Sequence, residues 1–323
     1  MLTRRTFLGT LACSVLVARP VAAAKMAKIG FLHFDSAGPS PEIDAFRQGL
    51  RELGYIEGQN MTLELRFAGG RVDALPELAA DLVAQKVDVL VTPSTQLSLA
   101  AKKATSTIPI VFATVADPVG AGLVANFAHP GGNITGLASI SAEISGKRLE
   151  LLKIVTPQTS RVAVLYNPAD RSNVLVLKQL QDAAPALSLT LLPVEVRVPD
   201  DFEGAFATMG RERAHGLFGS AGVLTQEYRK TLVALAAKAR IPTIWGHRQF
   251  VDAGGLMCYA VNFFEQLRRA AVYVDKILKG TKPGDLPVEQ PTQFELVINL
   301  KAAREIGLTI PQSLLLRADQ VLE

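Results

Sequence analysis

The stretch Arg161-Val162-Ala163-Val164-Leu165-Tyr166-Asn167-Pro168 decides how this chain is read. A short run rich in β-branched residues, closed by a turn signal, is a strand. Helical periodicity follows at 172–183, a second strand at 189–194, a helix at 200–209 and a third strand at 216–219. A helix at 225–239 and a strand at 241–245 complete the series. Strands that alternate with helices argue for βαβ units and parallel sheets.

The same series stands once already upstream. Ile29-Gly30-Phe31-Leu32 is a strand, and Ser40-Pro41-Glu42 opens a helix that runs to Leu53 and stops at Gly54. Ser40 suits the N-cap, Pro41 the first helical position, and Glu42 the positive end of the helix dipole. Strands follow at 61–67, 87–91 and 108–115, with helices at 74–85 and 95–104 between them. Spacings agree between the halves: Thr62 precedes Val89 by 27 positions, and Thr190 precedes Leu217 by 27. Thr107-Ile108-Pro109-Ile110 and Arg240-Ile241-Pro242-Thr243 introduce the closing strand of each. Two similar units of about 110 residues suit two sheets with separate cores. The alternative, one large mixed sheet, sits poorly with the restart at Arg161.

The end of the chain breaks simple concatenation. A strand at 256–260 leads to a helix at 263–278, whose Ala270, Ala271, Val274, Ile277 and Leu278 have helical spacing. A Gly/Pro-rich connector at 280–287, a strand at 294–299 and a short helix from Leu300 follow. The chain therefore crosses between the halves more than twice, which makes a hinge of several strands.

Residues 1–24 read as an address. Thr3-Arg4-Arg5-Thr6-Phe7-Leu8 resembles a twin-arginine export signal, and Ala22-Ala23-Ala24 supplies a small-residue exit, with cleavage expected before Lys25. The apolar stretch from Leu11 to Val17 is too short to span a bilayer. It continues past Cys13, which argues against lipidation there. Of 34 basic and 30 acidic residues, this segment holds three basic and no acidic ones, so the rest is net +1. A mature chain so near neutrality has no electrostatic footprint for nucleic acid.

Two cysteines, Cys13 and Cys258, allow no disulfide framework. His33, His129, His215 and His247 lack metal-ligand spacing and read mostly as surface or loop residues, although His33 and His247 end strands. Neither a nucleophile elbow nor a phosphate-binding loop occurs, and Ser220 is out of register for the former. Gly120-Ala121-Gly122-Leu123-Val124-Ala125 matches a dinucleotide fingerprint but follows the fourth strand instead of the first. No cofactor and no metal is expected.

Four stretches carry a family resemblance: Pro109-Ile110-Val111-Phe112-Ala113 with Asp117-Pro118-Val119, Pro130-Gly131-Gly132-Asn133-Ile134-Thr135-Gly136, Val162 to Pro168, and Leu286-Pro287-Val288-Glu289. In this order they resemble the substrate-binding components of ABC import systems, in the branch related to tryptophan- and tyrosine-binding proteins. The resemblance covers residues 28–323. It implies a type I periplasmic-binding-protein fold: two doubly wound α/β lobes joined by a multi-strand hinge, with a ligand in the cleft. Lobe 1 is then expected at 28–137 plus 261–290, and lobe 2 at 138–260 plus 291–323. The resemblance also implies a periplasmic monomer that binds an amino acid, with an aromatic one preferred, and partners an inner-membrane ABC permease. An exported enzyme and a ligand sensor for an envelope receptor are the alternatives. A regulator of the sugar-repressor type would need a helix-turn-helix where this chain has an export signal.

Ligands of open parallel sheets bind beyond the carboxyl ends of the strands. That rule selects 34–38, 92–96 and 116–118 in the first half, and 166–167, 219–222 and 246–248 in the second. Thr92, Ser94 and Thr95 meet a helix N-terminus suited to a carboxylate, or merely cap that helix. Asp117 is placed to accept an ammonium group, or else turns the chain ahead of Pro118. Tyr166, Trp245 and Tyr259 are candidate cleft walls, with core packing as the ordinary alternative. Asn167 and Ser220 are hydrogen-bonding candidates or turn formers. Asp35 and Ser36 gate the cleft, or are plain loop residues.

Overall fold

The computed structural model describes residues 26–323, so the proposed address at 1–24 lies outside the described residues. The chain opens with β1 (Ala27–His33), α1 (Pro41–Glu52), β2 (Met61–Phe67), α2 (Leu75–Ala84), β3 (Val89–Thr92), α3 (Thr95–Ala104), β4 (Ile110–Val115) and β5 (Ile134–Ala138). It restarts with α4 (Ser145–Val155), β6 (Arg161–Tyr166), α5 (Arg171–Ala183), β7 (Thr190–Glu195), α6 (Asp201–Arg211) and β8 (Gly216–Gly219). Then come α7 (Val223–Glu227), α8 (Arg229–Lys238), β9 (Thr243–Trp245), α9 (Arg248–Asp252) and β10 (Met257–Ala260). The remainder is α10 (Phe263–Leu278), β11 (Glu295–Asn299), α11 (Leu300–Glu305), α12 (Gln312–Leu315) and β12 (Gln320–Leu322).

There are two sheets. The first is all parallel, in the order β2-β1-β3-β4-β5. The second runs β12-β11-β10-β9-β8-β6-β7 and is parallel except where β10 meets β11. The fold class expected from the sequence is therefore met. Strand β6 shows why the restart was readable. Val162 and Val164 enter the core on one face of the second sheet, while Ala163 and Leu165 enter the core on the other. A strand buried on both faces by helices needs an unbroken apolar run.

Helix α10 returns to the first sheet and packs along α1. The approach is close enough that a Cβ on Gly49 would stand 2.3 Å from the Arg268 carbonyl oxygen. Two elements at the junction, β5 and α4, were absent from the sequence reading. Strand β5 is only five residues long and contains Gly136, at φ 151°, whose missing Cβ lets the backbone of Phe112 lie against it. Helix α4 shows almost no segregation of apolar residues, because it is covered by α5 and the second sheet together.

Three crossovers connect the lobes, at 139–144, 261–262 and 290–294. Glu289, just before the last, pairs beside β5 through Ala138 and Gly136. In the first crossover Ile140 has φ 43°. A β-branched residue takes that left-handed conformation only under strain.

The sequence reading made 225–239 one helix, but the structure breaks it at Tyr228, between α7 and α8. The break coincides with contacts to the other lobe. Arg229 donates back to the Gln226 carbonyl at 2.6 Å and reaches both carboxylate oxygens of Asp35 at 3.2 Å. Tertiary contacts have overridden local helix propensity here. Among the described residues, no helix is long and apolar enough to cross a membrane.

Candidate functional site

The carboxyl ends of β1, β3 and β4 face those of β6, β8 and β9 across a cleft of about 620 Å3 free of protein atoms, its mouth included. Lobe 1 contributes Phe34, Ser94, Thr95 and Thr114, and lobe 2 contributes Arg148, Asp170, Phe218, Ser220, Gln226 and His247. A concave site with a few polar groups converging from two rigid bodies is where small ligands are held.

Arg148 dominates the electrostatics. It is only 2% exposed, yet no carboxylate among the described residues pairs with it. Its Nε donates to the Tyr259 carbonyl at 2.6 Å, Nη1 to the Ser141 hydroxyl at 2.8 Å, and Nη2 to the Gly246 carbonyl at 3.4 Å. Burial lowers its pKa to about 10, so it stays cationic at neutral pH. A buried charge held only by neutral dipoles is costly unless a counter-charge arrives. Two of its acceptors, Ser141 and Tyr259, lie in or beside the crossovers, so the cation is tied to the hinge.

Asp170 supplies the opposite sign. It caps α5, accepting from the Ser172 N–H at 2.9 Å and the Ser172 hydroxyl at 2.6 Å. Burial pushes its pKa up to about 6 against those bonds, which leaves it mostly ionised at pH 7. His247 is driven down to about 4 by burial and then by the Arg148 charge, so its ring is neutral. Gln226 Nε2 stands 3.4 Å from His247 Nδ1. The hydroxyl of Ser220 and the Oε1 of Gln226 are buried without a hydrogen-bond partner. Buried polar atoms are normally paired, and of the six unpaired side-chain atoms among the described residues these two share one cavity wall.

Of the residues singled out from the sequence, Ser94, Thr95 and Ser220 line this cavity. Ser94 also caps α3 through the Leu97 N–H, so both of its readings coexist. Asp35 and Ser36 bridge the lobes at the rim. Ser36 donates from its N–H and its hydroxyl to Glu227, at 2.8 and 2.5 Å. Burial outweighs Arg229 and pushes Asp35 up to about 7. Nearby, the buried Glu42 accepts from Gln249 of the other lobe at 3.2 Å.

The remaining candidates point elsewhere. Thr92 is buried beneath α3 and bonded to the Ser98 hydroxyl at 2.8 Å. Asp117 turns its own loop by accepting from the Gly120 N–H at 2.7 Å. Asn167 does the same for the Ala169 N–H at 2.9 Å. Trp245 is fully buried, stacked on Phe250 at 4.4 Å between centroids, and seated against Gly219, where a Cβ would collide with its ring. The hydroxyl of Tyr166 donates to Glu195 on the outer strand, and the ring of Tyr259 packs against Phe294. The aromatic side chains on the cavity are Phe34, Phe218 and His247 instead.

Sequence reasoning missed Arg148, Asp170 and Gln226. No periodic signal marked Arg148, because the apolar residues of α4 surround the helix instead of forming one stripe.

The family model for ABC transporter substrate binding proteins matches residues 35–322. A tyrosine-binding protein of Clostridioides difficile is 27% identical over 270 residues, covering 80% of this chain and 75% of its own. A conserved domain protein of Vibrio cholerae superposes with a TM-score of 0.85 at 30% identity, covering 92% of this chain and all of the other. An ABC domain from Streptococcus pneumonia in complex with L-Trp gives a TM-score of 0.83 at 26% identity, over 92% and 99% of the two chains. With two lobes, a polar cleft between them and a match along nearly the whole described length, the chain belongs to the ABC transporter substrate binding protein family.

Proposed function

We propose that the protein is the periplasmic solute-binding component of an ABC importer, that it captures an α-amino acid in the interlobe cleft, and that it presents the closed form to an inner-membrane permease. The observation that carries this reading is Arg148, a buried cation with no acidic partner among the described residues, on the same cavity as the carboxylate of Asp170. The two charges suit the carboxylate and the ammonium of one zwitterion. Phe34, Phe218, Val176 and Val223 supply apolar surface for a side chain, which favours an aromatic or large aliphatic one. The relatives named for tyrosine and solved with L-Trp support the aromatic preference. The role is binding and release, with no bond made or broken.

A ligand that binds only the folded state stabilises it by RT ln(1 + [L]/Kd), about 2.7 kcal/mol at a hundredfold excess over Kd. The mature protein is therefore expected to melt several degrees higher with millimolar L-Trp or L-Tyr than alone. Equal melting temperatures across all twenty amino acids would overturn the reading.

A further inference from the structure

Resting on the amino-acid reading, we infer that Gln226 reads the far end of the ligand side chain, so that the site selects aromatic rings carrying an N–H or O–H over rings without one. Gln226 is 2% exposed and lines the cavity, and its Oε1 has no hydrogen-bond partner. Nε2 faces His247 Nδ1 at 3.4 Å, and the backbone carbonyl of the same residue is held by Arg229 at 2.6 Å. In the Nε2–H tautomer of the neutral His247, Nδ1 accepts the amide N–H, and Oε1 is left as an acceptor awaiting a donor.

The surroundings say which donor. His247 lies 5.2 Å from Phe263 between ring centroids, and Phe263 lies 6.1 Å from Phe34. Phe34 and His247 both reach the cavity, one from each lobe, so Gln226 stands at its aromatic end. The neighbouring rings favour an aromatic side chain there, since aromatic pairs gain beyond their buried area. The zwitterion's ammonium already has an ionised partner in Asp170, which a neutral amide does not replace. An indole N–H or a phenol O–H at the ring edge fits the remaining requirement. A site built around a buried acceptor rejects an analogue that leaves it unpaired.

Calorimetric Kd values decide it, using L-Trp against 3-benzothienyl-L-alanine, in which sulfur replaces the indole N–H, and L-Tyr against L-Phe. The wild-type protein is expected to favour the donor-bearing member of each pair by about 10- to 100-fold. In Gln226→Met, with Gln226→Leu as a second variant, both ratios should fall toward one while affinity for L-Phe is kept. Equal affinities within each pair in the wild type, or ratios unchanged in the variants, overturn the inference and leave the amino-acid reading intact. A uniform loss of all four ligands in the variants also overturns it, since Gln226 would then serve the shared backbone of the ligand. Failure of all four to bind the wild type removes the amino-acid reading itself.

Discussion

The two lobes share one architecture and present opposite chemistry to the cleft. The wall of lobe 2 carries both charges, Arg148 and Asp170, and the unpaired polar atoms of Ser220 and Gln226, while lobe 1 brings the unpaired amide nitrogen of Gln96 to a smaller cavity beside Asp170. The wall of lobe 1 is neutral, and each of three hydroxyls there makes one bond within the protein. Ser94 caps its own helix, Thr114 donates to the Pro93 carbonyl, and Thr95 accepts from the Ala116 N–H. A ligand that needs charge complementarity finds nearly all of it on one side. On the proposed function, the difference assigns most of the ligand's charge recognition to lobe 2 and leaves lobe 1 the neutral contacts. Ser94 and Thr95 keep their O–H donors for a ligand, but a neutral hydroxyl bond is worth less than a bond to a buried charge.

The strongest way to break this asymmetry is Arg148→Met. Losing the partner of a buried charged group costs about 2–5 kcal/mol, roughly 30- to 5,000-fold in Kd. Thr95→Val in lobe 1 is expected to cost less than about fivefold, in line with a modest neutral hydrogen bond. Comparable losses from the two substitutions in calorimetric titrations would refute the division of labour.

Asp170→Asn is next. It keeps the cap on α5, since Asn caps as well as Asp, so melting should change little. A charge-assisted bond to the ligand ammonium is worth about 1.5–3 kcal/mol, or roughly 10- to 150-fold in Kd. The same residue gives the wild type a pH signature. Burial raises its pKa to about 6, so the carboxylate proposed to pair with the ammonium is present above that value. Affinity should fall as pH drops from 7 to 5 and stay level in the variant; a wild-type profile as flat as the variant's would remove Asp170 from the site.

The smallest effect belongs to the rim. Arg229→Ala deletes a partly exposed pair with Asp35, worth up to about 1 kcal/mol, about fivefold in Kd. The loss is limited because Asp35, with its pKa near 7, takes up a proton when its partner is gone. The change should appear in the dissociation rate measured by stopped flow. A shift in association rate alone would mean that the pair does not act on the covered state.

How far the sequence could be read follows the same division. The strands were legible because burial on both faces leaves an apolar run, as in β6, and the repeat of that pattern revealed two lobes. Strand ends are legible as loops, and of the residues selected there Ser94, Thr95 and Ser220 line the cavity. The charged groups were hidden. Arg148 sits on a helix whose apolar residues go all round, and Asp170 looks like an ordinary helix cap. Trp245 and Tyr166 were chosen for their chemistry, yet a side chain at the end of a strand can point either into the sheet's core or across the cleft. Gly219 against the Trp245 ring decides that case, through a contact between separate strands that local pattern does not contain.

Ile140 bears on how such a protein lets go. Its left-handed backbone stores about 1–3 kcal/mol in the first crossover, next to the Ser141 groups that Arg148 grips. Any rotation of the lobes that returns Ile140 to negative φ gives that energy back to opening. The residues that line the cavity and the backbone angle that holds this strain are then distinct, so either is open to change without the other.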